Sequence, residues 1–545
     1  MTLTTANLDT HEVTNQPPAL ENYNLFETDP VLKSGIERYD GGWGLPELAS
    51  LGQHIGTSEF LHLGNLANRF PPELHTHDRF GHRIDRVEFH PSYHELMKTG
   101  VEAGVCAGPW RDPKPGAQVV RAAKHFLLTQ VEAGVECPMT MTYAAVPALR
   151  AEPSVAAEWE PRILAGRYDP RFLPADQKDG VMIGMAMTEK QGGSDVRANT
   201  TRAVPAEGGF HLTGHKWFCS APMCDAFLTL AYTDRGLTCF LVPRFKPDGS
   251  QNRLMVMRLK NKLGNKANAS SEIEYDHTWA ARVGEEGRGV PTIIEMVNHT
   301  RLDCVIGSAG LMRQALAQAI HHTRHRKAFG ALLSEQPLMM NVLADLAVES
   351  EVSTRLALWL ARGYDDVHGS AGRRALVRIA TAVSKYWVCK RAPRMIVECL
   401  ESHGGAGYVE ESILPRLYRE APLSSIWEGS GNVMCLDVLR AISKEPESMP
   451  ALLGELAEAQ GQDPRYDAHL ASLKAQVRDG ENLQYRARYL VEGLAIALQA
   501  SLLLREGPSL MADAYLGSRL GSGREYGTLP TNIDCQAILE RAFPG

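Results

Sequence analysis

No Cys-x-x-Cys pair occurs anywhere in the chain, although it carries ten cysteines. Scattered cysteines fit free thiols in a reducing compartment and argue against a disulfide framework or a structural zinc. Gly-x-Gly-x-x-Gly and Gly-x-x-x-x-Gly-Lys-Ser/Thr are also missing, which disfavours a Rossmann or P-loop nucleotide site. Charge is nearly balanced, with 57 Lys and Arg against 64 Asp and Glu and a net −7. Nothing global therefore draws the chain to nucleic acid or anionic lipid. The most apolar stretch, Val491 to Leu504, is interrupted by Glu492 and Gln499 and is too short to span a bilayer. The opening Met-Thr-Leu-Thr-Thr-Ala-Asn has neither a basic start nor an apolar core, so no secretory signal is visible. These absences lead to the expectation of a soluble, cytoplasmic protein.

A length of 545 residues suggests three or four domains at roughly 150 residues each. Residues 1–40 are polar and read as an arm. From there to 186 the pattern is helical, broken by Pro71-Pro72, Pro113-Lys-Pro115 and Pro170. Between 187 and 285 short β-rich runs appear, such as Phe227 to Tyr232 and Leu237 to Val242, bounded by turns as in an antiparallel sheet. Helical periodicity returns over 286–442. In the extension, 443–545, Leu490, Leu494, Leu498 and Leu502 fall at i+4 steps, which predicts a folded helical addition.

The segment Ile426-Trp-Glu-Gly-Ser-Gly-Asn432 places one carboxylate, Glu428, behind bulky apolar residues. Apolar walls disfavour the ionised form and raise a carboxyl toward the working range of a general base. Gly429 and Gly431 allow a ligand or the backbone to approach closely. By itself such a glutamate also fits an idle, solvated turn. Three other segments accompany it: Met185-Ala-Met-Thr-Glu-Lys-Gln-Gly-Gly-Ser-Asp195, Arg326-Lys-Ala-Phe-Gly330 followed by Gln336, and Gly404-Gly-Ala-Gly-Tyr408. His321, His322 and His325 have metal-ligand spacing but no acidic partner nearby in sequence, and no metal site is predicted.

In that order, these segments resemble the acyl-CoA dehydrogenase family, whose members use FAD to desaturate acyl thioesters. The Arg419-Glu420 pair, nine residues before Glu428, stands where relatives have Arg-Asp. The resemblance implies an α+β, mainly α fold with an N-terminal helical domain (41–186), a middle antiparallel β domain (187–285) and a helical bundle (286–442), to which this chain adds its extension. It implies that Met185, Met187, Thr188, Gly193 and Ser194 hold the flavin, with Phe218, Cys219 and Ser220 beside the ring; Trp217 fits core or site equally. Arg326 and Gln336 would reach FAD in a neighbouring subunit of a homotetramer, and Phe329, Gly404, Gly405, Ile426, Trp427, Ser430 and Asn432 would complete the cofactor contacts. One family branch carries its base just before Arg301; that position is Thr300 here, and Glu295 lies five residues earlier, so Glu428 is the predicted base. It would remove an α-proton from an acyl-CoA as the β-hydride leaves.

The long N-terminal arm, the Ile-Trp-Glu-Gly-Ser-Gly-Asn form and the extension resemble the alkylation-response flavoprotein branch, which binds double-stranded DNA and has weak dehydrogenase activity. Residues 441–545 hold 10 basic and 14 acidic side chains, so a DNA footprint must be local; Arg440, Arg486 and Arg488 are its candidates, with a solvated helix face as the plain alternative. Three readings stay open: a redox flavoenzyme that also binds DNA, an ordinary acyl-CoA dehydrogenase with a structural extension, and a non-catalytic FAD-containing binder.

Overall fold

The computed structural model describes residues 10–365, 369–521 and 525–543. The part of the N-terminal arm that it describes is not loose. Asp29 caps the Pro30–Arg38 helix through the amides of Val31 and Leu32, and its other oxygen pairs with Arg313 at 3.2 Å. Leu25, Phe26, Leu32 and Ile36 are buried. Those apolar residues are few, and a polar average over forty positions hides them. Further helices follow up to Leu164, but a hairpin interrupts them, β1 (Glu73–His77) and β2 (Arg83–Glu88). The first strand carries two exposed histidines and the second buries only Asp85 and Val87, so no run of alternating apolar residues marks the pair as strands. Arg83 ties the hairpin to the middle domain by donating to the Val256 carbonyl at 3.0 Å.

The middle domain contains β3 (Ile183–Ala186), β4 (Arg202–Ala206), β5 (Gly209–Ser220), β6 (Ala226–Thr233), β7 (Gly236–Pro243), β8 (Leu254–Leu259) and β9 (Ser270–Val283). The order is β3-β6-β4-β5-β9-β7, with β8 on β9, and an added β6–β7 pairing closes the sheet on itself. Its first strand starts before residue 187, and the sheet is mixed: β3 runs parallel to β6, with Ile183 opposite Ala226. Two-residue turns force β4/β5 and β6/β7 to be antiparallel, but the long 187–201 connection leaves the direction of β3 free. Strand periodicity carries no information about direction.

Three long helices, Gly289–His325, Pro337–Asp365 and Ala371–Glu401, form the bundle, with Gly431–Lys444 packed against the last. Among its described residues the extension has five helices, Ser448–Ala457, Pro464–Arg478, Ala487–Glu506, Ser509–Arg519 and Cys535–Ala542. Leu490, Leu494, Leu498 and Leu502 are fully buried, as their spacing predicts. The Ala487–Glu506 helix is long and apolar enough to cross a membrane, but most of it is packed inside the protein. Buried ion pairs bind the extension to the bundle: Arg519 reaches Asp345 (2.8 Å) and Glu349 (2.9 Å), and Arg541 reaches Glu351 (2.9 Å).

Candidate active site

Glu428 lies between two short turns and the Gly431–Lys444 helix, in left-handed backbone (φ 58°) that a residue with a Cβ rarely adopts. Two buried cations hold it there. Lys385, from the Ala371–Glu401 helix, donates to the carbonyls of Trp427 (2.7 Å) and Gly429 (2.5 Å). Arg301, from the Gly289–His325 helix, donates to the carbonyl of Glu428 itself (3.0 Å) and to Asp437 (2.9 Å). Three successive carbonyls are thus fixed by charged donors, stronger than neutral ones. Sequence reading missed Lys385. The available signal was a lone lysine on the stripe formed by Thr381, Cys389 and Ala392, all buried in the structure.

Glu428 Oε2 is buried and has no hydrogen-bond partner, and neither has the neighbouring Trp427 Nε1. Burial pushes the Glu428 carboxyl above the usual carboxylate range, while the Thr300 hydroxyl, Arg301 and Lys385 pull it back. Thr300 therefore lies beside Glu428, and Glu295 is exposed on the other side of its helix turn. Cys137 lies within electrostatic reach of Glu428. Burial raises its thiol to about 12, against the pull of the Ser220 hydroxyl and Lys262. Ser220, at the end of β5, and Glu428 are thus both close to Cys137. Burial also lowers Lys262 to about 8.

The 185–194 segment is joined to β5 by the Trp217 amide, which donates to the Thr188 carbonyl at 2.7 Å. Beneath it is a buried ion pair. Glu189 and Lys216 are fully inaccessible and 2.8 Å apart, and Glu189 also accepts from the amides and hydroxyls of Thr200 and Thr201. Burial opposes the carboxylate, but Lys216 and these donors hold Glu189 down at about 2. The Thr-Glu pair thus divides its work, with Glu189 building the loop and Thr188 facing the surface. Gly193 is needed for close packing, since a Cβ there would lie 2.4 Å from Thr188 Oγ1. Met185, Met187, Thr188 and Ser220 are half-buried, Ser194 and Phe218 are exposed, and Ile426 is exposed above the base. The side chain of Cys219 is fully buried inside the sheet, so it offers no side-chain contact at the surface.

Arg326 is elsewhere. Its Nη1 donates to the Asn15 carbonyl at 2.6 Å, and Asn15 pairs with the Lys327 backbone in both directions. Gln336 donates to the Ala328 carbonyl, Phe329 is 99% exposed, and Gly404 and Gly405 are exposed in a short turn. None of the hydrogen bonds of the described residues joins this turn to 185–194 or 426–432. His321 and His325 are tied to the carbonyls of Pro18 and His321. Of the DNA candidates, Arg440 is exposed, Arg486 folds back onto Asp479 and Glu481, and Arg488 Nε donates to Asn432 Oδ1 at 2.8 Å.

The donor set fits a flavin ring: half-buried or exposed hydroxyls at Thr188, Ser194 and Ser220, a glycine cradle at 193, and the unpartnered Trp427 N–H. Three family descriptions match in sequence: the adaptive response protein AidB N-terminal domain over residues 15–170, the acyl-CoA dehydrogenase middle domain over 184–278, and the acyl-CoA dehydrogenase C-terminal domain over 287–443. The chain belongs to the acyl-CoA dehydrogenase family of oxidoreductases. Within that family it falls in the AidB branch. It is 47% identical over 472 residues to the putative acyl-CoA dehydrogenase AidB of Escherichia coli, covering 86% of this chain and 87% of that protein. It is 33% identical to acyl-CoA dehydrogenase family member 11 of Caenorhabditis elegans, over 88% of this chain and 80% of that protein. The crystal structure of C. elegans ACDH-11 in complex with C11-CoA superposes with a TM-score of 0.84 at 28% identity, covering 98% of this chain and 93% of that one.

Proposed function

We propose that this protein is an FAD-dependent acyl-CoA α,β-dehydrogenase in which Glu428 is the base. The observation that carries this is the buried Glu428 oxygen that has no hydrogen-bond partner. FAD, when bound, supplies the two-electron acceptor. The chain supplies the rest: Lys385 and Arg301 hold the backbone that carries Glu428, and Thr300 and those two cations keep its carboxyl deprotonated enough to accept a proton. The C11-CoA bound by the C. elegans relative supports an acyl-CoA as substrate. Purified protein should be yellow, and an acyl-CoA series should bleach it anaerobically. A preparation that stays colourless after FAD is added would defeat the proposal.

The exposed turn of Arg326 and Phe329, and the open glycines at 404 and 405, suit completion of the cofactor site by a second subunit, which supports the homotetramer. Location in the cytoplasm rests on the ten unpaired cysteines. Non-specific duplex DNA binding as part of an alkylation response is a finer reading, supported by the AidB branch and by exposed Arg440, Tyr485 and Tyr489. Phosphate contacts release counterions, so affinity should fall with salt at a log–log slope of about −0.9 per contact. Arg440→Ala should make that slope shallower by about one contact. No binding by wild type at low salt would leave a dehydrogenase whose extension is structural.

A further inference from the structure

Two buried carboxyls, Glu132 and Glu420, come together where the 130–135 turn, the Leu414–Glu420 helix and the 260–269 loop meet; they are 2% and 5% exposed. Glu132 is well supplied with donors: Arg416 at 2.9 Å, the Gly134 amide at 2.8 Å and the Asn68 side chain. Glu420 accepts from the Asn265 amide at 2.6 Å, and no ion pair of the described residues reaches it. Of the charged groups around it, Arg416 is engaged by Glu132, Arg419 turns to Glu410, and Lys262 is held by the Asn268 carbonyl (2.5 Å) and Ser270 Oγ (3.0 Å). The fit is close. A Cβ on Gly264 would lie 2.3 Å from the Arg419 carbonyl oxygen, and one on Gly134 would meet Glu132 Oε1 at 2.8 Å and Asn265 Oδ1 at 3.1 Å. Asn265 Oδ1 is itself a buried acceptor without a donor. A buried carboxyl with no cation of its own favours its neutral form, which has an O–H to give. Burial and then Glu132 push the Glu420 carboxyl above the usual range, against the pull of the Asn265 amide, Arg416 and Lys262.

We propose that Glu132 and Glu420 hold one proton between them, and that they are positioning residues: the proton docks the 260–269 loop onto the bundle and so sets the place of Ser220 in the site. The path is short. Lys262 in that loop holds Ser270, which pairs with Ser220 across β5 and β9. Cys137, at the start of the helix that follows the Glu132 turn, lies close to Lys262, Ser220 and Glu428. When the proton leaves, two buried carboxylates share one arginine and repel each other, which loosens the loop. A carboxyl raised in the folded state gives stability that is complete at acid pH and lost as pH rises through the raised value. The proposal rests on the reading above only for FAD as the molecule that reports the position of Ser220.

The test uses the full chain, wild type against Glu420→Gln, Glu420→Asp and Glu132→Gln, with urea midpoints and FAD affinity followed from acid to mildly alkaline pH. Glutamine is always neutral and keeps an oxygen for the Asn265 amide. Glu420→Gln should therefore match wild type at acid pH and exceed it as pH rises, by about tenfold in the folding equilibrium for each unit by which the carboxyl is raised. Glu132→Gln should move the remaining titration to lower pH, because it removes the like charge and releases Arg416 to Glu420. FAD affinity of wild type should weaken over the range in which its stability falls. That dependence should vanish in Glu420→Gln and persist in Glu420→Asp, which keeps a carboxyl. The proposal is overturned if Glu420→Gln is less stable than wild type at every pH, the mark of an ionised structural carboxylate. It is equally overturned if FAD affinity follows pH alike in wild type and Glu420→Gln. Wild type that binds no FAD at any pH would sink the dehydrogenase reading and the positioning role with it, while the urea curves would still decide the shared proton.

Discussion

Glu428→Gln should retain FAD and lose flavin bleaching by any acyl-CoA that wild type oxidises. Removing a positioned general base costs about 10²–10⁴ in rate, and glutamine keeps the shape of the side chain while it cannot accept the proton. The pH profile gives a second readout. Glu428 works only when deprotonated, and burial raises its carboxyl above the usual range. Bleaching should therefore rise with pH through that raised value and level off above it. Lys385→Met removes a cation that lowers the Glu428 carboxyl and leaves two carbonyls without their donor. The rising limb should move to higher pH, and the plateau should fall. A Lys385→Met enzyme with the wild-type profile would show that Lys385 has no hold on the base. Undiminished bleaching by Glu428→Gln would assign the proton to another group.

The largest stability effect should come from Glu189→Gln. Lys216 is completely buried, and its carboxylate partner is Glu189 at 2.8 Å. Breaking a buried pair by removing one partner costs about 3–5 kcal/mol, because the remaining charge has no compensation. Glutamine keeps one acceptor oxygen, so the Thr200 and Thr201 amides, which donate to different oxygens of Glu189, cannot both be served, and the uncompensated charge is the larger part of the loss. Adding Lys216→Met should recover most of it, since replacing both members of a buried pair with neutral groups is often close to neutral. Urea denaturation, followed by intrinsic fluorescence, measures both. A single variant within about 0.5 kcal/mol of wild type, the usual range for surface changes, would mean that the pair does not hold the 185–201 loop. FAD affinity should fall with stability in the single variant, because the same loop carries Thr188 and Ser194.

Much of the site was legible in the order of four short segments. Glu428 followed from a carboxylate placed between bulky apolar residues and glycines. The buried leucine ladder of the extension followed from i+4 spacing, and the β-rich middle followed from alternation and turns. These are local patterns, and local patterns survive in one dimension. Spacing could not show which charges meet across the fold. Lys385 and Arg301 lie 43 and 127 residues from Glu428, yet they set its backbone and its proton affinity, because low-dielectric burial makes nearby charges count. The role of Glu189 beneath the 185–194 loop, the parallel direction of β3 and the anchoring of the arm through Asp29 and Arg313 were decided in the same way. Arg488 shows the limit most plainly. In sequence it belongs to a basic, tyrosine-flanked stretch suited to DNA, and only the packing of the extension against the bundle turns it toward Asn432. The sequence determined the family and the local segments around Glu428. The tertiary structure decided which side chains face each other, because hydrogen bonds and charge interactions depend on distances that residue order does not record.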